Sequence, residues 1–292
     1  MNFVRSEMMR IFERLYNMRE CGGPVFELYM RSCLMLLMEA LPAPTLVDVP
    51  RLFEEEAFRR FLLARCHNPV IKGFWENQAA RVIGDASLSN IGPYITSKLN
   101  SFTGNSLIRP IIGQRRSTID FRRLMDDGKI VLVNLAKGRL GEVDCRLLGM
   151  LLLGKLFLSA LGRTRQSVTQ RRSMHLYIDE CQNFLTDTVG MMLSEARKFG
   201  LHLVLSNQSL TQLQDRVTGM DLSTTILTNC DHLLAMRIGV QDAGRLADWF
   251  RPVFSEADLA RLPDHCLAAR LVGGIPSKLR KWTNFVKRVQ VG

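Results

Sequence analysis

MHLYIDECQNF, residues 174–184, is the stretch on which the reading of the chain turns. Apolar residues run up to Asp179, a second carboxylate follows at Glu180, and the sequence then becomes polar. Acids after a strand often cap the next helix or simply face water. A strand end is also where α/β sheets place their chemistry. Two carboxylates fixed there suit nucleotide hydrolysis: the first holds a magnesium ion through water, and the second orients or deprotonates the attacking water.

Outward from this point the chain has two textures. Towards the amino terminus, FVRSEMMRIFERLY, FELYMRSCLMLLMEAL and RLFEEEAFRRFLLARC carry apolar residues at helical spacing, broken by GGP, PAPT and HNP. Residues 1–108 are therefore expected to form an all-α domain. From about residue 128, DGKIVLVNLAKG, MHLYIDE, LHLVLSNQ and DHLLAMRIG are short apolar runs separated by helix-like sequence. That alternation predicts an α/β domain over 109–292, a mostly parallel sheet with helices on both faces. HCLAARL and GGIPSKLRKW suggest a closing pair of strands.

Composition bounds the partners. The 292 residues carry 39 Lys and Arg against 28 Asp and Glu, a formal charge of +11, which favours an acidic partner such as nucleic acid or an anionic surface. Seven scattered cysteines contain no CxxC pair, so neither a zinc site nor a disulfide framework is indicated, and a reducing cytosol fits best. The amino terminus lacks the apolar core of a signal peptide. The most apolar run, Leu147 to Leu161, is interrupted by Lys155 and falls short of the ~18–20 uninterrupted apolar residues a span requires, so a buried helix is expected.

Two further residues are placed with the carboxylates. In SEARKFGLHLVLSNQSL, an Arg-Lys pair precedes a capping Gly and an apolar strand, and Gln208 follows that strand, which puts it at the same sheet edge as Asp179 and Glu180. A neutral amide there either senses a γ-phosphate and its attacking water or caps the strand. Arg197 is either a cationic finger towards a neighbouring subunit's phosphate or a basic residue favoured at a helix end.

Taken together, IIGQRRSTIDFRRLMDDGKIVLVNLAKG, LYIDECQNF, SEARKFGLHLVLSNQSLTQL and TNCDHLLAMRIGVQDAGRLADWF resemble the carboxyl-terminal part of the TraG/HerA-like P-loop ATPases. These include the coupling proteins of conjugative DNA transfer through type IV secretion systems, hexameric DNA motors of RecA-like fold. The resemblance implies that Asp179 is the Walker B metal residue, Glu180 the catalytic acid, Gln208 the phosphate sensor and Arg197 a trans arginine finger. Arg237 corresponds to an arginine near the nucleotide at the subunit interface. ATP and Mg2+ are the implied cofactors, in a complete assembly.

A motor of this kind needs a glycine-rich loop to cradle the phosphates. The apparent match, GMLLLGK from Gly149 to Lys155, lies inside an apolar helix pattern, and Leu156 stands where a hydroxyl should hold the metal. Helical core is the expected structure. In the family the true Walker A precedes the all-α domain, so the isolated chain is expected to bind Mg-ATP weakly or not at all. It would act as a homo-oligomer or with a Walker A-containing chain.

Basic clusters span Arg109–Arg123, Arg163–Arg172 and Lys278–Arg288. Arg163, Arg165, Arg171 and Arg172, in GRTRQSVTQRR, are candidates for sequence-independent contacts to DNA phosphates, or form a solvated surface. No sequence-specific DNA-reading motif appears. The resulting expectation is part of a conjugative DNA-transfer ATPase, cytoplasmic and held at the inner face of the bacterial inner membrane through partners or further sequence. The rivals are a non-catalytic adaptor for relaxosome, secretion-channel or motor proteins, and a HerA-type repair or phage translocase.

Overall fold

The computed structural model describes residues 2–18, 22–84, 87–214, 219, 221–272 and 277–280, the last four as backbone. The chain divides into two compact units, Met1–Met174 with Thr186–Thr188, and His175–Leu185 with Val189–Gly292.

Apart from Met174, where β1 begins, the regular elements described in the first unit are helical. Its helices are α1 (Asn2–Tyr16), α2 (Gly23–Ala40), α3 (Asp48–Glu54), α4 (Glu56–Arg65), α5 (Pro69–Gly73), α6 (Leu88–Thr103), α7 (Arg109–Ile112), α8 (Phe121–Asp127), α9 (Lys137–Leu140) and α10 (Glu142–Leu161). The breaks have local causes. At HNP, Asn68 accepts from the amides of Val70 and Ile71 while Pro69 opens α5, where a missing N–H costs nothing. Asp120 caps α8, and Gly128 ends it at φ 63°, a conformation that favours glycine.

Helix α10 organises one core. It buries Leu147, Leu148, Met150, Leu153, Leu156 and Phe157, each contributing about 1.5–3 kcal/mol of apolar burial. It packs against α1 so closely that a side chain at Gly154 would meet Glu7 Cγ at 3.1 Å. By length and apolarity it is the described helix suited to crossing a membrane, but it is more than half buried against its own unit. The GMLLLGK segment sits in its interior, as helical core. A second core forms where α2 meets α3, α4 and α6, with Phe26, Leu36, Leu37, Leu52 and Leu62 buried.

The expected strand in DGKIVLVNLAKG does not form: residues 129–136 have no regular structure. Ile130 and Leu132 are 92% and 93% exposed. A run apolar on both faces suits a strand covered on both sides, and among the described residues it finds no neighbouring strand to complete a ladder.

In the second unit the expected mostly parallel sheet is replaced by two small ones. Strands β1 (Met174–Ile178) and β2 (Leu201–Leu205) make a pair; β3 (Leu233–Ala235), β4 (Cys266–Arg270) and β5 (Ser277–Arg280) make a separate antiparallel sheet. The amide of Ser206 donates to the Ile178 carbonyl at 3.1 Å, so β1 and β2 finish side by side and run parallel. The closing hairpin is β4 with β5, whereas β3 belongs to that hairpin's sheet and not to the one that ends at Asp179. The remaining α-helices among the described residues are α11 (Asp187–Glu195), α12 (Leu222–Asn229), α13 (Val240–Phe250) and α14 (Glu256–Ala260), α11 having its first two residues in the first unit. Helix α13 lays Ala243, Leu246, Ala247 and Phe250 into the core and packs on β4 and α14.

Candidate active site

The site forms where β1 and β2 end. Past Ile178 the backbone turns sharply: Glu180 takes φ 51° and ψ 46°, the left-handed region that costs a residue with a Cβ roughly 1–2 kcal/mol. The turn is held by Cys181 N donating to Ser206 O at 2.9 Å and by Asn183, whose backbone and side-chain amides both donate to the Glu180 carbonyl. The strain aims the two acids differently. A strained residue at the end of a strand is a recurrent mark of functional sites.

Asp179 is exposed, and its Oδ1 accepts from the Glu180 amide at 3.1 Å and from the Ser206 hydroxyl. Glu180 is gripped by two amides: Gln208 Nε2 donates to Oε1 at 2.7 Å and Gln182 Nε2 donates to Oε2 at 2.5 Å. Because the Gln208 nitrogen faces the carboxylate, its carbonyl oxygen is left to accept from another donor, such as a water. Gln208 is itself placed by the next turn, where Ser209 and Gln212 form a capping box and Gln212 Oε1 accepts from the Gln208 amide. Below the turn, Asp242 of α13, buried, accepts from the Leu210 amide at 3.1 Å. Cys181 is buried beside the acids, and burial pushes its thiol up to about 12, so it is no nucleophile.

The structure thus brings Asp179, Glu180 and Gln208 together. Arg197 follows α11 in a short 3-10 turn closed by Gly200 at φ 73°, and it forms an exposed ion pair with Asp231 at 3.2 Å. Arg237 pairs with Asp264 at 3.0 Å. Neither arginine bonds to the carboxylates. Ser206 and Gln182 were missed by the sequence reading; the signal for Ser206 was its position directly after β2, opposite Asp179.

The basic loop lies in the first unit and is less open than its composition suggested. Arg163 is 0% exposed; its Nε donates to Asp126 Oδ1 at 3.0 Å and its Nη1 to the Arg172 carbonyl at 2.8 Å. Arg171 and Arg172 donate to the carbonyls of Gln166 and Asp127, and Arg165 is exposed. The cluster from Lys278 to Arg288 lies outside the described residues except for the backbone of β5.

Residues 173–250, which hold the acid pair, Arg197, Gln208 and Arg237, match the family model described as the TraM recognition site of TraD and TraG. Over those residues the chain resembles the TraG-like conjugative coupling ATPases. An uncharacterized protein of Mycoplasma pneumoniae is 32% identical over 101 residues, 34% of this chain and 67% of the relative. Among solved structures, the bacterial conjugative coupling protein TrwBΔN70 has a similar fold, with TM-score 0.63 at 15% identity over 94% of this chain and 68% of that one. So does VirB4 of Thermoanaerobacter pseudethanolicus, with TM-score 0.60 at 12% identity over 95% and 68%. The similar TrwB structures include one in complex with ADP and Mg2+, with TM-score 0.60 at 16% identity over 92% and 68%. The fold of TrwB is shared over nearly all of the chain.

Proposed function

We propose that this chain is a component of an ATP-driven motor that couples DNA to a type IV secretion channel during conjugation, working at the cytoplasmic face of the inner membrane. The observation that carries the reading is the convergence of Asp179, Glu180, Ser206 and Gln208 on one pair of parallel strand ends. In this reading residues 1–108 serve as an all-α domain ahead of a RecA-like half-domain of 109–292.

The donor set fits magnesium. Asp179 offers a carboxylate and Ser206 a hydroxyl, both hard oxygen donors, and Mg2+ bound with nucleotide takes most of its remaining ligands from water and phosphate. When bound, the ion would neutralise charge developing on the transferred phosphoryl group. The chain's own contribution is positional: Glu180, fixed by two amides, accepts the proton of an attacking water, while the Gln208 carbonyl orients that water. Arg197 and Arg237, each exposed at 74% and 60%, are open to a neighbouring subunit's phosphates once they release Asp231 and Asp264.

The phosphate loop comes from a partner or from further sequence. Support for this is the helical state of GMLLLGK and the exposed, unpaired apolar run at Ile130 and Leu132. The test is ATP turnover by the full chain with duplex DNA and a chain carrying a phosphate loop. Glu180→Gln is expected to lose about 10²- to 10⁴-fold in rate while nucleotide binding persists; turnover equal to wild type would remove the assignment.

The family description favours a second role in the same chain, recognition of a TraM-like relaxosome protein through residues 173–250. Capture of such a protein by a chain that never turns over ATP, whatever phosphate-loop partner is added, would make it an adaptor instead.

A further inference from the structure

In the first unit a cavity of about 500 Å3 is lined by Thr45, Val47, Asp48, Arg51, Arg109, Pro110, Gly113 and Arg115. This is within the roughly 300–1,000 Å3 usual for ligand sites, but guanidinium groups dominate its polar wall. Asp48 lies at its base, almost wholly buried. Its Oδ2 accepts from the amide and hydroxyl of Thr45 at 2.9 and 3.0 Å. Its Oδ1 faces Arg115 at 3.5 Å and Arg51 at 3.7 Å, too far for full hydrogen bonds, so it attracts both arginines without closing the gap.

Two of the three arginines are fixed. Arg51 donates through Nε and Nη2 to Glu55 and lies over the Phe58 ring at 4.1 Å, and Arg109 donates to the Thr103 carbonyl at 2.7 Å. Arg115 is 55% exposed and has Asp48 as its ion-pair partner. Three guanidiniums against the carboxylates of Asp48 and Glu55 leave the wall positive. Planar forks held around a gap match the oxygens of a phosphate group, and Val47 with Pro110 offers an apolar wall for an attached sugar.

We infer that this cavity binds a phosphate group, with Asp48 as the positioning residue that draws Arg51 and Arg115 to its rim. The inference does not depend on the nucleotide-hydrolysis reading. The phosphate could be presented by a nucleic-acid backbone or by a small molecule, and the two sources are separable by experiment. The full chain is titrated with a labelled mixed-sequence duplex across a salt series, and separately with inorganic pyrophosphate by calorimetry. Arg115→Gln is compared with Arg60→Gln, which removes the same charge from an exposed side chain, 77% accessible, outside the cavity. If backbone phosphates bind here, Arg115→Gln lowers the salt slope by about one for every duplex sequence, and Arg60→Gln leaves it unchanged. If a small phosphate binds here, the pyrophosphate heat is present in wild type and in Arg60→Gln but lost in Arg115→Gln. Equal effects of the two variants, or no binding of either probe to a wild-type chain whose melting matches that of both variants, would overturn the inference.

Discussion

The Gln208 side-chain amide donates to Glu180 Oε1 at 2.7 Å across 28 residues of sequence. The bond exists because β1 and β2 are parallel neighbours, about 4.8 Å apart, that stop at the same level. A change in what Gln208 bonds to would therefore be felt directly at the acid. An amide that let go of Glu180 to meet a phosphate would free that oxygen when nucleotide is present.

Replacing Gln208 by Ala should consequently separate activity from stability. Turnover in the reconstituted assembly is expected to fall by about 10²-fold, in the range of losing a positioned polar group. Because Gln208 is exposed, unfolding in urea should change by less than about 1 kcal/mol. A large loss of stability would mean that the amide is a strand cap and no more.

The acid pair was legible because its signal is local: five residues of strand and a polarity switch place Asp179 without knowledge of anything distant. Gln208 was legible for the same reason. The IVLVNL run was not, since its apolar character is identical whether or not a neighbouring strand exists to pair with it. Nor could the sequence separate β3 from the parallel pair, because three residues, Leu233–Ala235, carry no mark of which sheet they join. Arg163 was misplaced for another reason. Its neighbours are basic and polar, and its burial is set by Asp126, 37 residues earlier.

Arg163 and Arg165 should therefore behave oppositely, though only two residues apart. Burial raises the Asp126 carboxyl, but hydrogen bonds and charge from Arg122 and Arg163 outweigh it and hold it below its usual range. Arg163→Ala removes a buried guanidinium and is expected to cost about 2–4 kcal/mol, measured by urea unfolding at pH 7, whereas Arg165→Ala should be near neutral. Asp126's contribution is present above its unfolded value of 3.8 and lost as pH falls through the folded one. The gap between wild type and Arg163→Ala should narrow in that acid range.

Glu7 gives the opposite sign. Burial raises its carboxyl above 4.5, against the lowering effect of its bonds to Thr188 and Arg10. The folded chain then holds the proton more tightly than the unfolded one. Stability from this group is full below about pH 4.5 and is lost as pH rises through the folded value. Glu7→Gln keeps an acceptor for Thr188 without the charge, so at pH 7 it should melt higher than wild type, on the order of 2–4 °C. The difference should vanish below pH 4.5; thermal melts at both pH values decide it.

Leu132 offers the strictest test of assembly. At 93% exposure it makes little contribution to the folded chain, so Leu132→Lys should leave the melting temperature unchanged within about 1 °C. Yet an apolar residue on an irregular segment with no strand beside it among the described residues is suited to β-augmentation, where backbone bonds give affinity and alternate side chains give specificity. A lysine placed into such a sheet would bury a charge without a partner, at a cost of several kcal/mol. In the assembly, Leu132→Lys should therefore weaken oligomerisation or partner binding by at least about 10²-fold, read by analytical ultracentrifugation with the phosphate-loop chain present. Unimpaired assembly would show that the segment stays in solvent and that the proposed partner does not pair with it.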